Sequence, residues 1–473
     1  MVPAWRLRAA FARRLSDMYG AEVPAYTTLL EVAGQVNDDV RRTSGAAAER
    51  LGSIERVTAE RHGAIRVGTP RELRQAARVF AALGMEPVGF YDLRDAAGSS
   101  VPVVSTAFRP VGAEELERNP FRVFTSLLTC DDPRYFDADL RARLTAFLER
   151  RELFPPELLE LAALGEREGG LPEEAAERFL TLAVAAFELS PEPVDRAWYR
   201  ELERVSPVAA DIGGVGSTHI NHLTPRVLDI DELYRRMTGR GIAMIDRIQG
   251  PPRWDGPDVL LRQTSFRALA EPRAFREPDG RVTHGSLRVR FGEVEARGIA
   301  LTPAGRALYD ELVAEPAGVW ADRFPRTERE LAVRGLGFFT YEPVPGRRRD
   351  GARPPGDLAG LLDGGWVTAR PVVYEDFLPR SAAGIFRSNL DRDGRAVGAG
   401  ARDGRPGVAD ARDAGHAGAG AGTAYDAAWL AGAVERPVHD PFALCAARRD
   451  DSLARTLHAL DLHLRVHLPE ETV

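Results

Sequence analysis

The sequence predicts an α+β protein: two strand–helix–strand–strand units sharing a cavity, with additional helices around them. Three observations carry this. Thr69-Pro70-Arg71-Glu72 is a capping box with proline at the first helical position, the start signal of a helix. Extended apolar runs flank the helix that follows. The same order returns after Thr218, where an alternating stretch leads into a second capping signal, Asp229-Ile230-Asp231-Glu232. Two such units, related by duplication, can pair their sheets around a common cavity.

The elements follow in order. Pro3 to about Arg61 is mostly helical, with Trp5, Leu7, Phe11 and Leu15 near helical spacing. Glu60–Val67 is short and fits a strand or a helix end. In the first capped helix Leu73, Ala76, Ala77, Phe80 and Ala81 form one apolar face, and Gly84 ends it. Pro87–Leu93 and Val101–Phe108 are strands. From Asp139 to Glu203 the pattern is helices joined by short turns. Thr218–Leu228 alternates as a strand, a helix runs to Gly239, and strands are expected at Ile242–Ile248, Val259–Leu269 and Ser286–Val294. Asp391 to Thr423 is rich in Gly, Ala, Arg and Asp with almost no large apolar residue. It cannot bury enough surface to offset its ordering entropy and is expected to be a disordered insertion. Helical character resumes from Tyr425 to Val473.

Composition excludes several functions. The chain has 473 residues, a net charge of −7 and 28% charged residues, without the basic excess of a nucleic-acid binder. No apolar run approaches the roughly 18 residues that span a bilayer, and the N-terminus lacks the apolar core of a signal peptide. Two distant cysteines, Cys130 and Cys445, exclude a Cys-rich zinc site and fit a reducing cytoplasm. All 63 basic residues are arginine. Without lysine there is no Schiff-base chemistry and no P-loop of the usual type.

Any imidazole chemistry must come from nine histidines. In His219-Ile220-Asn221-His222, side chains three apart on a strand point to opposite faces, so at most one histidine faces a given cavity. His62 and Arg66, four apart, share a face on either a strand or a helix. Glu293 and Glu295 share a face of the strand read for Arg290-Phe291-Gly292-Glu293-Val294-Glu295. Two imidazoles and one carboxylate on a rigid frame form the facial triad of non-haem iron(II) enzymes; His62, His222 and Glu293 supply such a set, and Glu295 remains a rival to Glu293. His463 and His467 lie four apart, but no acid between them completes a zinc-protease pattern. Asp211-Ile212-Gly213-Gly214-Val215-Gly216 faintly suggests a dinucleotide loop, and is discounted because no strand precedes it and its third glycine is missing.

Several motifs in order, His62-Gly63-Ala64-Ile65-Arg66-Val67-Gly68-Thr69-Pro70, Ser105-Thr106-Ala107-Phe108-Arg109-Pro110, Asn221-His222-Leu223-Thr224-Pro225-Arg226, Phe291-Gly292-Glu293-Val294-Glu295, Tyr374-Glu375-Asp376-Phe377-Leu378-Pro379 and Ser381-Ala382-Ala383-Gly384-Ile385-Phe386, resemble the 2-oxoadipate dioxygenase/decarboxylase family. The resemblance runs from about Leu51 to Leu390. It implies a vicinal-oxygen-chelate-like core, with units at about 54–110 and 217–300 inside a catalytic region 1–390; the insertion 391–423, read from composition, and a helical segment 424–473 expected to pack on that region follow it. It implies Fe(2+) held by His62, His222 and Glu293, and conversion of the 2-oxo dicarboxylate 2-oxoadipate with O2 to D-2-hydroxyglutarate and CO2, in lysine breakdown. Arg66 would bind a substrate carboxylate, and backbone amides near Arg380 and Ser381 would hold the substrate as well. Arg380 stands where the family usually carries a small apolar residue, and the insertion follows closely; both bear on the exact substrate. A glyoxalase-like metal-dependent isomerase or lyase, and a non-catalytic metabolite-binding protein, are the alternatives on the same fold.

Overall fold

The computed structural model describes residues 1–95, 101–288, 290–346, 353–378 and 423–462. Arg380, Ser381, His463, His467 and nearly all of the insertion 391–423 lie outside the described residues.

The N-terminal helices Ala4–Glu22 and Pro24–Ser44 bury Leu7, Phe11, Leu15 and Tyr19 from the first and Tyr26, Leu29 and Val32 from the second. The first unit begins with the strand Arg61–Val67. Its turn into the helix Pro70–Ala82 closes as a full capping box: Thr69 accepts from the Glu72 amide and Glu72 accepts from the Thr69 amide. Leu73, Ala76, Ala77 and Phe80 of this helix are buried, and Gly84 (φ +68°) follows its end in a conformation that favours glycine. Strands Glu86–Asp92 and Val103–Arg109 come next. A fourth strand, Arg122–Leu128, was not expected. It is buried along its whole length and sits inside the sheet, so it shows no alternation to read.

The five-stranded sheet runs in the order Glu86–Asp92, Val103–Arg109, Arg122–Leu128, Arg61–Val67, His222–Pro225. Its last strand comes from the second unit and lies antiparallel to Arg61–Val67, with Ala64 opposite His222 and His62 opposite Thr224. The helix Ile230–Gly239 follows, its Asp229 cap accepting from the Glu232 amide.

Beyond this point the second unit departs from expectation. Ile242–Ile248 forms no strand; Met244 and Gln249 make only isolated bridges to Phe266 and Gln263. The strand expected over Val259–Leu269 spans Leu261–Ser265. The one expected over Ser286–Val294 is two strands. Val282–Leu287 pairs with Glu271–Arg276 as a hairpin, and Glu293–Arg297 pairs with Leu261–Ser265. The break falls at Arg290-Phe291-Gly292. Arg290 is held by Glu271 and Glu22, and a Cβ on Gly292 would lie 2.0 Å from the Phe266 ring, so only glycine fits there.

A further layer places helix Pro303–Leu312 and the antiparallel pair Phe339–Pro343 and Val367–Pro371 over an aromatic cluster in which Trp320 stacks on Phe324 at 4.7 Å. The helix Pro441–Ala459 packs on this pair, where Thr456 donates to the Tyr341 carbonyl and Ser452 accepts from its amide. No helix among the described residues is long and apolar enough to cross a membrane.

Candidate metal centre

The seam between the units creates the site. Residues directly opposite each other on paired strands share a face, and alternate residues along a strand share a face. Ala64 faces His222, so His62, two residues back, projects on the same side. The strand Glu293–Arg297 runs beside this seam: Arg226 bridges to Glu295, and the Val227 amide donates to the Glu295 carbonyl at 2.8 Å. Glu293 therefore comes up beside both imidazoles. One ligand atom each from His62, His222 and Glu293 lies within 4.8 Å of the others, and all three residues are buried. His62 Nε2 is 3.6 Å from Glu293 Oε2, and His222 Nδ1 is 3.8 Å from Glu293 Oε1. Phe377 meets the His62 ring edge-on at 5.0 Å, and Phe291 lies 5.2 Å from the His222 ring.

This donor set fits a cation. The buried His222 Nδ1 makes no hydrogen bond. Burial lowers the His222 imidazole to about 4, with Glu293 opposing, so it is neutral near pH 7 and keeps a lone pair to donate. Burial also disfavours the charged form of His62, but Glu295 and Glu293 outweigh it and raise this imidazole above its usual value. His219 goes elsewhere: its Nε2 is 3.2 Å from Asp211 Oδ1. Only one histidine of that motif reaches the site.

Glu293 and Glu295 share a face, as alternation requires, but have different partners. Glu295 is gripped by Arg297 at 2.6 and 3.0 Å and faces His62 Nδ1 at 3.2 Å. Burial would raise its carboxyl; Arg297, His62 and Arg122 hold it at about 2. Behind it lies a buried ion network. Glu60 accepts from Arg122 at 2.8 Å and Arg226 at 3.0 Å, and Glu375 pairs with Arg56 and Arg122. Arg109 grips Asp376 at 2.7 and 3.1 Å. The acidic pair in Tyr374-Glu375-Asp376-Phe377 thus serves buried arginines and leaves Phe377 against His62.

Arg66 lies on the His62 strand and is buried beside Asp211, to which its Nη1 donates. Asn221 also donates to Asp211, at 2.9 Å. Burial opposes the Asp211 charge, but His219 and Arg66 hold its carboxyl well below the usual range. Asp211 was missed in the sequence, where its glycine-rich neighbours suggested only a weak nucleotide loop. Gly213 in fact lets helices pack: a Cβ there would lie 2.5 Å from Leu144.

Fold and site together define an α+β protein with a buried two-histidine, one-carboxylate group able to hold a metal ion, beside a buried arginine. Residues 11–389 match the model of a family described as 2-oxoadipate dioxygenase/decarboxylase. A protein of that name from Mycobacterium tuberculosis (strain ATCC 25618 / H37Rv) is 59% identical over 441 residues, covering 93% of this chain and 95% of the relative. One from Pseudomonas putida is 44% identical, covering 82% and 88%. The crystal structure of hydroxyglutarate synthase in complex with 2-oxoadipate from Pseudomonas putida superposes with a TM-score of 0.79 at 38% identity, covering 98% of this chain and 99% of that one. The chain belongs to the 2-oxoadipate dioxygenase/decarboxylase family.

Proposed function

We propose that the chain is an iron(II)-dependent enzyme that converts 2-oxoadipate and O2 to D-2-hydroxyglutarate and CO2, in lysine breakdown and in the cytoplasm. The observation that carries this reading is the buried group His62, His222 and Glu293, with Arg66 on the same strand as His62, in a chain of this family. The atoms balance: one carbon leaves as CO2 with both oxygens of its own carboxylate, and both atoms of O2 end in the hydroxyglutarate, one in the new carboxylate and one in the hydroxyl.

His62, His222 and Glu293 would hold the metal, which supplies the redox chemistry that O2 cannot perform unaided. The protein's own part is to bind and orient. A 2-oxo diacid has a carboxylate at each end, and the one remote from the reacting carbons needs a cation once it leaves water. Arg66 supplies it, and a guanidinium fork matches a carboxylate with two parallel hydrogen bonds. Asp211, tied to Asn221 and His219, fixes where Arg66 points. Phe291 and Phe377 shield the imidazoles from water. Backbone amides near Arg380 and Ser381 are assigned to the substrate from the family resemblance.

The test is anaerobic loading with iron(II), then O2 uptake and CO2 release with 2-oxo diacids of four to seven carbons. The reading expects one O2 consumed per CO2 released, with 2-oxoadipate preferred. Turnover without O2 uptake would instead favour an isomerase or lyase on this fold.

A further inference from the structure

We infer that Glu295 is the positioning residue of the metal centre, holding His62 by Nδ1 so that Nε2 faces Glu293 and the ion. This rests on the metal-site reading above. The two His62 nitrogens have different neighbours: Nε2 faces Glu293 at 3.6 Å and Nδ1 faces Glu295 at 3.2 Å. The Nδ1 contact is within hydrogen-bond distance, but its geometry does not meet that of a hydrogen bond, so the ring is required to turn onto Glu295 when the ion binds. A carboxylate that accepts from the far nitrogen of a ligating imidazole fixes its tautomer and orientation and makes it a better donor.

Glu295 is fit for this role and unfit to be the ligand. Both of its oxygens are bound by the Arg297 fork, and Arg122 stands 3.5 Å from Oε1. Glu293 pairs with no arginine among the described residues, and its oxygens face the two imidazoles. The support continues outward. Arg122 is held by Glu60 and Glu375, Arg297 lies 3.4 Å from Glu60, and Arg297 donates to the carbonyls of Tyr374 and Asp376 at 2.8 and 3.0 Å. Glu295 also anchors through its main chain, where its carbonyl accepts from Val227. A carboxylate held in this way cannot swing into the site, and its charge stays balanced without the metal.

The rival role is a purely structural one in the arginine network. Glu375 separates the two, because it joins Arg56 and Arg122 without touching His62. Cobalt(II) affinity, titrated by its visible absorption, is compared for the parent, Glu295→Gln and Glu375→Gln. The inference expects roughly 10- to 100-fold weaker binding in Glu295→Gln and near-parent affinity in Glu375→Gln. Equal losses in the two variants, or no loss in Glu295→Gln, would overturn it. If Glu295→Gln does not fold, the cobalt-loaded parent still decides. Nε2 ligation with Nδ1–H on Glu295 predicts a paramagnetically shifted, slowly exchanging His62 ring N–H resonance by NMR; its absence, or rapid exchange with solvent, sinks the assignment. A parent that binds no cobalt would fail the metal-site reading itself, and this inference with it.

Discussion

At the residue scale, spacing told which side chains share a face but not which partner each takes. His62 and Arg66 were legible as neighbours because four residues on a strand return to one side. The choice between Glu293 and Glu295 was not, since alternation puts both on that side. What separates them is Arg297, two residues beyond Glu295 on the same strand, which takes up both of its oxygens. Spacing also gives no hint of the partner of Arg66, because Asp211 is 145 residues away. Two predictions belong here. His222→Ala and Glu293→Ala should each abolish iron(II) binding in a folded protein, whereas His219→Ala should retain it because His219 faces Asp211. Metal content after anaerobic reconstitution is the check, and loss in His219→Ala with retention in His222→Ala reverses the assignment. Arg66→Ala should weaken binding of the diacid by about 2–5 kcal/mol, the usual cost of truncating one member of a buried charge pair. That is roughly one and a half to nearly four orders of magnitude. A monoacid of equal length should lose far less; equal losses would move Arg66 to the metal-bound end of the substrate or to a structural role.

At the scale of elements, what could be read was what carries local signals. The helix Pro70–Ala82 was legible from its capping box, proline and apolar face, and Ile230–Gly239 from its Asp229 cap. The strand Arg122–Leu128 was not, because an interior strand with both faces buried has no alternation, and Arg122, Thr125 and Ser126 dilute its apolar run. The break before Glu293 was hidden for another reason: it depends on Phe266, just past the end of the strand Leu261–Ser265, filling the space a side chain at Gly292 would need. This yields a prediction. Gly292→Ala forces its Cβ into the Phe266 ring and should cost about 1–3 kcal/mol, as overpacking does. It should also weaken metal binding by displacing the neighbouring Glu293. Adding Phe266→Leu makes room and should recover part of both losses, since contacting residues couple by about 0.5–3 kcal/mol. Strictly additive effects in urea unfolding and metal titration would show that the glycine is not there to accommodate the ring.

For the molecule as a whole, two units meeting at a seam were visible in the repeated order of elements, but the ion network that braces the seam was not. Arg56, Arg122, Arg226 and Arg297 are far apart in sequence, and nothing in a chain whose only basic side chains are arginine and histidine marks these four as buried. They converge on Glu60, Glu295 and Glu375 because the strands carrying Arg122 and Glu295 and the segments carrying Glu60, Arg226 and Glu375 end at the same place. The network makes stability depend on acid in a defined way. Burial opposes the charge of Glu375, but Arg56 and Arg122 hold its carboxyl at about 2, as Arg297 and its neighbours hold Glu295. An unfolded glutamate titrates near about 4.3. The folded value is the lower one, so the unfolded chain binds protons first. The stabilisation is complete above the unfolded value and is lost as pH falls toward the folded one. His222, lowered to about 4, adds a loss of the same sign, beginning at the unfolded imidazole value of about 6.5, while His62, raised by Glu295 and Glu293, contributes in the opposite direction. The carboxylate share is isolated by comparing the parent with Glu375→Gln in urea unfolding from pH 7 downward. Both proteins carry the same His222 and His62 contributions, which cancel in the comparison. Below about pH 4.3 the parent should lose stability faster, because only it carries the Glu375 carboxylate, and the gap between the two should narrow continuously. A gap that stays constant to the lowest pH at which the parent folds would mean that Arg56 and Arg122 do not hold Glu375 ionised, and that the seam is braced by packing rather than by charge.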